Sequence, residues 1–316
     1  MASLKEIKGR IASVSGTLKI TSAMKLVASA KLRKAQQAIT DMLPYQRQLQ
    51  SIQSRLMDAS SAEEAASGLS SAAASRELMR PEADGAQVTE ASTEAGGIAI
   101  VAFSSNSSLC GAFNANAIKK TLSVINEYRS AGFSDSDIVV YSVGRKMADA
   151  MRKAGFQSPA DYSKLAESPD YEAASRLAQE LVDKFSSGNL TRVELVYNHF
   201  KSTSSQPTVR ETFLPSSSAS RDTSAPLSAS DGSADIIIEP SKEAVLAVLI
   251  PKVQRLKIYT ALLDSNAAEH AARVVAMQTA TDNGNDLLEA LTLEYNKGRQ
   301  QKITSEILDI VGGTLQ

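Results

Sequence analysis

The side chains best suited to covalent catalysis are few in this sequence. Cys110 is the single cysteine, and His199 and His270 are the two histidines. Nucleophilic catalysis needs a nucleophile held beside a base, and neither histidine lies near a plausible serine or cysteine partner. We therefore expect both histidines to be structural and Cys110 to be a small buried residue. One cysteine also excludes an intramolecular disulfide.

A second candidate for chemistry is the turn "SSNSSLCGAFNANAIKK" at 104–120. It follows a short apolar run and leads into a helix, and helix N-termini attract phosphate groups. The turn lacks the Gly-x-Gly-x-x-Gly spacing and any Gly-Lys-Ser/Thr motif. We therefore predict no nucleotide site, no metal site and no cofactor.

The charges of the chain are distributed unevenly, although its net charge is −1. Residues 1–58 carry ten Lys and Arg against three Asp and Glu. A basic segment of this kind fits an acidic partner surface, but composition alone favours the simpler interpretation of a solvated helix face. Both interpretations remain open.

Both ends of the chain have the period of a coiled coil, in which apolar residues recur at alternating spacings of four and three. The predicted seam of helix 1–58 contains Ile7, Ile11, Val14, Leu18, Thr21, Lys25, Ala28, Leu32, Ala35, Ile39 and Met42. The predicted seam of helix 241–316 contains Leu263, Ala267, His270, Val274, Met277, Thr281, Gly284, Leu288, Leu291, Tyr295 and Gly298. Pro44 is expected to kink the first helix, and Pro251 to kink or break the second.

The middle of the chain has a different pattern. Residues 98–240 alternate short β-branched runs with helical segments, which predicts an α/β domain with a mostly parallel, Rossmann-like sheet. Its last strand is expected at "IIIEP" (236–240). Residues 59–97 are rich in Ala, Ser and Glu and predict a mobile linker. Residues 215–235 predict a Ser-rich loop.

Two helices of about 55–60 residues reach about 80–90 Å, which is too long for a domain of about 150 residues to cover. We expect them to pair with each other as an antiparallel coiled coil that projects from the domain. Small residues fill many seam positions where a dimerising coiled coil has Leu. This favours a slender rod in a narrow channel, and an ordinary Ala-rich helical hairpin remains the alternative.

Two segments resemble a known family. "KEIKGRIASVSGTLKITSAMKLVASAKLRKAQ" (5–36) resembles the N-terminal helix of γ subunits of F-type ATP synthases, and "AAEHAARVVAMQTATDNGNDLLEALTLEYNKGRQQKITSEILDIVGG" (267–313) resembles their C-terminal helix. The motifs Ile-Thr-x-Ala-Met, Ala-Thr-Asp-Asn-Gly, Tyr-Asn-Lys-x-Arg-Gln and Ile-Thr-x-Glu occur in the family's order. "SLCGAFNANAIKK" resembles the family's strand-to-helix turn, although the usual charged lead into Leu-Cys-Gly is replaced by "SNSS".

The resemblance implies a non-catalytic rotor subunit of a proton-transporting ATP synthase. Its terminal helices would lie inside a ring of three α and three β subunits, and its α/β domain against the ε subunit and the membrane ring of c subunits. No nucleic acid and no substrate of its own are implied. The sequence has no apolar run of transmembrane length and no signal or transit pattern at its N-terminus. The implied location is peripheral, on the cytoplasmic side of a bacterial membrane.

The resemblance also implies which residues contact β. These are Arg273, Arg299, Gln300, Thr304, Glu306 and Asp309 on the C-terminal helix, with Met24 and Lys25 on the N-terminal helix as a pair that affects coupling. Arginine suits such a contact because its planar guanidinium can bond a carboxylate at two positions. The alternatives are a coiled-coil adapter that dimerises and an α/β enzyme with helical arms.

Overall fold

The computed structural model describes residues 3–67, 96–215, 238–239 and 241–313, with the side chains of 57–67, 309, 312 and 313 excepted. Its elements in chain order are α1 (Leu4–Ser67), β1 (Gly97–Phe103), α2 (Phe113–Ser130), a 3-10 turn (Asp135–Asp137), β2 (Ile138–Val143), α3 (Arg145–Lys153), α4 (Ser163–Glu167), α5 (Tyr171–Ser186), β3 (Leu190–Asn198), β4 (Thr208–Leu214) and α6 (Lys242–Gly313). The predicted linker and Ser-rich loop lie mostly outside the described residues.

The helices α1 and α6 pack against each other as an antiparallel coiled coil. Leu18 faces Gly284, and the hydroxyl of Thr281 donates to that of Thr21 over 3.1 Å. The two residue numbers add up to 302 in both pairs, as expected for antiparallel helices in one register. The predicted coiled coil is confirmed, and we call this pair of helices the rod.

The seam of the rod is narrow. Every predicted seam position on both helices is buried or half-buried. Between the seam positions, large apolar side chains of α1 face outwards, with Ile20 at 62%, Leu26 at 72% and Val27 at 58% exposure. Some apolar side chains of α1 therefore pack against α6, whereas others face outwards and are not covered by it.

Both helices continue through their prolines. Pro44 lies inside α1 and Pro251 inside α6, so the break considered at Pro251 does not occur. Leu49 and Leu56 of α1 form a buried cluster with Leu249 and Leu256 of α6 on either side of that proline. This packing holds the helix together where local propensity opposes it.

The helix α1 is longer than its sequence predicted. It extends to Ser67, so the expected linker boundary at 58 falls inside a helix. Of the expected strand at 236–240, only Ile238 and Glu239 are described, and they are not in a strand.

The sheet has the order β2-β1-β3-β4, with β1 parallel to β2 and β3, and β4 antiparallel to β3. This confirms the mostly parallel sheet. Because side chains alternate along a strand, Ile98 and Ile100 of β1 face a cluster with α2 and α3. Val101 and Phe103 face the opposite cluster, to which α5 and α6 contribute. The rod helix α6 is thus one of the layers that cover the sheet, and we call residues 96–215 the head domain.

A buried ion network joins α2 to strands β3 and β4. The fully buried carboxylate of Glu194 accepts from Arg210 Nε at 2.6 Å and Nη2 at 2.7 Å, and Arg192 Nε lies 3.2 Å away. The hydroxyl of Tyr128 on α2 also donates to Glu194. Burial, and then the charge of Glu194, raise the pKa of Tyr128. The tyrosine is therefore a neutral donor that satisfies a buried carboxylate.

Candidate functional site

The predicted contact residues Arg299 and Gln300 lie at the end of the two-helix part of the rod. Their neighbour Gly298 faces Leu4, the first residue of α1. Both side chains are exposed. The helix α6 continues alone to Gly313, about 22 Å further at 1.5 Å per residue. Arg299 and Gln300 therefore mark the step from two helices to one.

Thr304 and Glu306 lie on this single-helix tip. The hydroxyl of Thr304 donates to the backbone carbonyl of Gln300 at 3.0 Å. Glu306 and Lys302 are exposed and 3.7 Å apart, and a surface pair of this kind is weak. Asp309 lies in α6, with a side chain outside the described set. The tip thus presents polar groups that a partner can bind at little cost.

The tip also presents large apolar groups to the outside. Ile307 is 55% exposed, Leu308 65% and Ile310 68%. Further back along α6, Leu287 is 50% and Leu293 67% exposed. Exposed apolar side chains in this number typically mark an interaction surface.

Arg273, in contrast, is engaged within the chain. Its side chain is 11% exposed and forms an ion pair with Glu269 at 2.7 Å. Its Nη2 donates to Ser107 Oγ of the head domain at 2.8 Å. Arg273 lies about 39 Å along α6 from Arg299, so the two arginines do not form one site. A contact from Arg273 to β would have to replace these internal bonds.

The surroundings of Arg273 shift the pKa values of its neighbours. Burial raises the pKa of Glu269, which the charges of Arg273 and Lys31 oppose. Burial, together with the same two cations, lowers the pKa of His270 to about 4. His270 is therefore neutral at physiological pH and packs in the seam, as a structural histidine does.

Met24 and Lys25 lie at a third level of the rod, about 31 Å along the axis from Arg299. Both are half-buried. The ammonium of Lys25 donates to the side-chain oxygen of Gln278 on α6. Beside them, Leu26 and Val27 are exposed. The predicted site residues thus fall into three groups along the rod.

The crevice where a doubly wound sheet binds ligands is filled. This crevice lies at the carboxyl ends of the parallel strands, next to β1. The strand β2 lies on one side of β1 and the strand β3 on the other, so the connections after β1 and after β2 run in opposite directions. Here Leu262 and Glu269 of α6, together with Phe103 of β1, line a cavity of only about 10 Å³. A cavity of that size is at the limit for one water molecule. The helix α6 therefore lies at the edge of the sheet where such folds bind ligands.

The turn at 104–112 contacts the rod and is held by its own side chains. Asn114 Oδ1 accepts from the backbone N–H of Ser105 at 3.0 Å. Cys110 is 1% exposed and packs with Phe113 and Ala268 of α6, which confirms the expected buried cysteine. Gly111 has a positive φ of 58° and faces Ala276 of α6.

Contacts between head and rod include residues that the sequence did not single out. Asp264 of α6 accepts from the backbone N–H of Phe200 at 2.8 Å and lies 2.5 Å from His199 Nδ1. Lys257 donates to the carbonyl of Thr212 at 3.0 Å. No local sequence signal marks these residues, because their partners are distant in the chain.

The described ranges lack two kinds of site. No group of three or more His, Cys, Asp or Glu there is arranged to hold a metal ion. Among the same residues, no helix is long and apolar enough to cross a membrane.

Known proteins share this sequence and this fold. Residues 3–315 match the family model described as ATP synthase. The chain is 48% identical over 317 residues to the ATP synthase gamma chain of Phocaeicola vulgatus and 49% identical over 318 residues to that of Bacteroides fragilis, with all of each chain covered. This chain belongs to the ATP synthase gamma chain family.

Solved structures of the gamma family's fold are similar to this one. A chain of the Euglena gracilis mitochondrial ATP synthase matches with a TM-score of 0.58 at 17% identity, covering 99% of this chain and 93% of that one. A chain of the Tetrahymena thermophila central stalk and c-ring matches with a TM-score of 0.52 at 19% identity, covering 83% and 99%. The predicted identity as a gamma subunit, and with it the role as the central-stalk rotor subunit of a membrane-associated ATP synthase, is confirmed. It replaces the adapter and free-standing enzyme alternatives.

Proposed function

We propose that this chain is the non-catalytic shaft that turns inside a ring of three α and three β subunits. The observation that carries this proposal is the reach of the rod. Gly111 of the head domain faces Ala276 of α6. The helix α6 continues from there to Gly313. The rod thus extends about 55 Å beyond this contact.

Apolar exposure on several sides of the rod supports an enclosing partner. Leu287, Ile303 and Leu308 are 50%, 47% and 65% exposed. Successive residues of a helix are rotated by roughly 100°, so these three side chains project in different directions. A flat partner covers one face of a helix, whereas a sleeve covers all of them.

We place bond chemistry outside this chain. Two observations support this: the turn around Cys110 is buried against the rod, and the crevice of the head domain is filled by α6. The shaft would instead bind the conformers of β unequally. A protein that binds one conformer better shifts its population, so each rotation step would favour a different state at each β subunit.

The remaining partners and the location follow from the same assembly. We propose that the head domain meets the ε subunit and the ring of c subunits, whose rotation is driven by protons. The complex would place this chain on the cytoplasmic face of a bacterial membrane, as a peripheral subunit. The similarity in fold to chains of assemblies that include a c-ring supports this arrangement.

Among the candidate contacts with β, we assign the main one to Arg299 and Gln300, with Thr304, Glu306 and Asp309 on the following turns. The exposure of Arg299, Gln300, Thr304 and Glu306 supports this assignment. Met24 and Lys25 would act at a second level of the rod, about 31 Å along the axis from Arg299. The neighbouring side chains of Leu26 and Val27 are exposed there.

Arg273 requires a separate assignment. Its bonds to Glu269 and Ser107 favour a role that joins the rod to the head domain. A contact to β would use only the small part of the side chain that remains exposed.

The test is co-assembly with α and β subunits from the same source, followed by an assay of ATP hydrolysis. Arg299→Ala/Gln300→Ala is compared with the matched control Lys297→Ala/Gln301→Ala, which also removes one cation and one amide from exposed positions of α6. A charge-assisted hydrogen bond contributes about 1.5–3 kcal/mol. If the contact acts in the rate-limiting step, hydrolysis falls about tenfold or more.

The control variant should retain wild-type activity. Equal effects of both variants would contradict the assigned contact and leave the shaft in place. Failure of the wild-type chain to form a complex with α and β would contradict the shaft itself.

A further inference from the structure

One aromatic side chain of the head domain packs where the two helices of the rod meet. Phe200 follows β3 directly, and its ring packs against a buried cluster formed by Leu32 and Ala35 of α1 with Ala267 and Ala271 of α6. The ring is half-buried. Through this contact the head domain packs against a cluster to which both α1 and α6 contribute.

Asp264 of α6 holds the backbone that carries this ring. Its Oδ1 accepts from the N–H of Phe200 at 2.8 Å, and its Oδ2 lies 2.5 Å from Nδ1 of His199. The carboxylate is 16% exposed. A poorly solvated carboxylate with both oxygens bonded has one well-defined geometry, so the position of Phe200 relative to α6 is set closely.

The small seam residues at this level have a local explanation. Ala35 and Ala267 stand at seam positions where a coiled coil usually carries Leu or Ile, and Ala271 is buried beside them. Larger side chains there would occupy the volume that the ring of Phe200 needs. The seam is therefore narrow at this level because a third element inserts beside it.

We propose that Phe200 and Asp264 form the joint through which torque passes between the head domain and the rod. This inference rests on the proposed function as a shaft. Other polar contacts of the head, such as Lys257 with Thr212, reach α6 alone. Phe200 instead packs against the cluster in which α1 and α6 meet. Load that passes through Phe200 therefore enters the rod at its seam and acts on both helices as one unit.

The joint bears load only when the membrane ring and the rod act on each other. The test therefore compares two complexes that contain the full chain. One is the membrane-embedded synthase, in which ATP-driven proton pumping and ATP hydrolysis are measured together. The other is the soluble complex with α and β alone, in which only hydrolysis is measured.

Phe200→Ala removes the ring and Asp264→Ala removes both hydrogen bonds. We expect each to lower the number of protons pumped per ATP hydrolysed in the membrane complex, with hydrolysis in the soluble complex unchanged. Phe200→Leu, which keeps apolar volume, should restore most of the pumping. Asp264→Asn keeps an acceptor for the N–H of Phe200 and should be intermediate. Asp149→Asn, at an exposed position of α3, is the matched control.

A parallel loss of pumping and hydrolysis would overturn the joint, because it would mean that the residues merely support folding or assembly. Unchanged pumping in Phe200→Ala would overturn it as well. If Phe200→Ala does not assemble, Asp264→Ala, which leaves the ring in place and removes the hydrogen bond that positions it, decides in the same way. Failure of the wild-type chain to assemble would instead overturn the proposed function, so the two failures are distinguishable.

Discussion

The glycines of the rod provide a direct test of its register, because the same change to alanine should have opposite effects at two positions. Gly16 is exposed on α1, and a Cβ there would meet nothing within 4 Å. Gly284 lies in the seam, and a Cβ there would stand 2.6 Å from Cδ2 and 3.2 Å from Cγ of Leu18. The first site is open, whereas the second is filled by the partner helix.

The magnitudes follow from these distances. Alanine is preferred over glycine inside a helix by about 0.8–1 kcal/mol, so Gly16→Ala should stabilise the rod by about that amount. Gly284→Ala gains the same propensity. It also forces Leu18 to move, and such overpacking costs about 1–3 kcal/mol. The Gly284 variant should therefore be less stable than the Gly16 variant by about 1–3 kcal/mol.

The assay is urea unfolding followed by far-ultraviolet circular dichroism, combined with amide hydrogen exchange at the level of Leu18 and Gly284. Hydrogen exchange is needed because the head and the rod need not unfold together. In Gly284→Ala, exchange should accelerate on both helices at this level. In Gly16→Ala it should slow or stay unchanged.

A double variant isolates the contact itself. Leu18→Ala removes the side chain that the new Cβ would meet. Gly284→Ala should then be close to neutral or stabilising in the Leu18→Ala background, although Leu18→Ala alone destabilises. Equal and additive effects in both backgrounds would refute the pairing of Leu18 with Gly284 and with it the register of the rod.

Two further predictions concern buried ionisable groups. The pKa of His270 is lowered from 6.5 to about 4. Above pH 6.5 the histidine is neutral in both the folded and the unfolded chain and does not affect the pH dependence of stability. As the pH falls from 6.5 towards 4, the unfolded chain takes up a proton that the folded chain does not, so the free energy of unfolding decreases by at most about 3 kcal/mol. His270→Gln should flatten the pH dependence of urea unfolding in that window relative to the wild type, and an unchanged slope would contradict its neutral burial. Arg210→Met leaves the buried carboxylate of Glu194 with one cation fewer and should destabilise the head domain by about 3 kcal/mol. Adding Glu194→Gln should recover part of that loss in the same unfolding measurement, and no recovery would contradict the assigned network.

Much of the fold could be predicted from local patterns. The alternating spacing of four and three along α1 and α6 depends only on residues within two turns of each other, and it predicted the seam correctly at each named position. The strands β1 and β2 were likewise predicted from short apolar runs. The family could be recognised because its motifs are short and lie on these helices.

Proline shows where local signals were insufficient. The break considered at Pro251 was wrong because the apolar contacts between Leu249, Leu256 and the facing leucines of α1 outweigh the lost hydrogen bond. The same limit applies to Arg273. Its partner Ser107 is separated from it by 166 residues, and no helical period could indicate that its guanidinium turns towards the head domain.

The sequence by itself therefore determined the two long helices, their slender seam, the alternating strands and the membership of the family. Only the tertiary structure decided how the head domain holds the rod. That attachment depends on α6 filling the crevice of the sheet, on Asp264 meeting a backbone N–H 64 residues away, and on Phe200 finding space beside small seam residues. Helical periodicity is encoded by near neighbours, whereas these contacts exist only once packing has brought distant segments together.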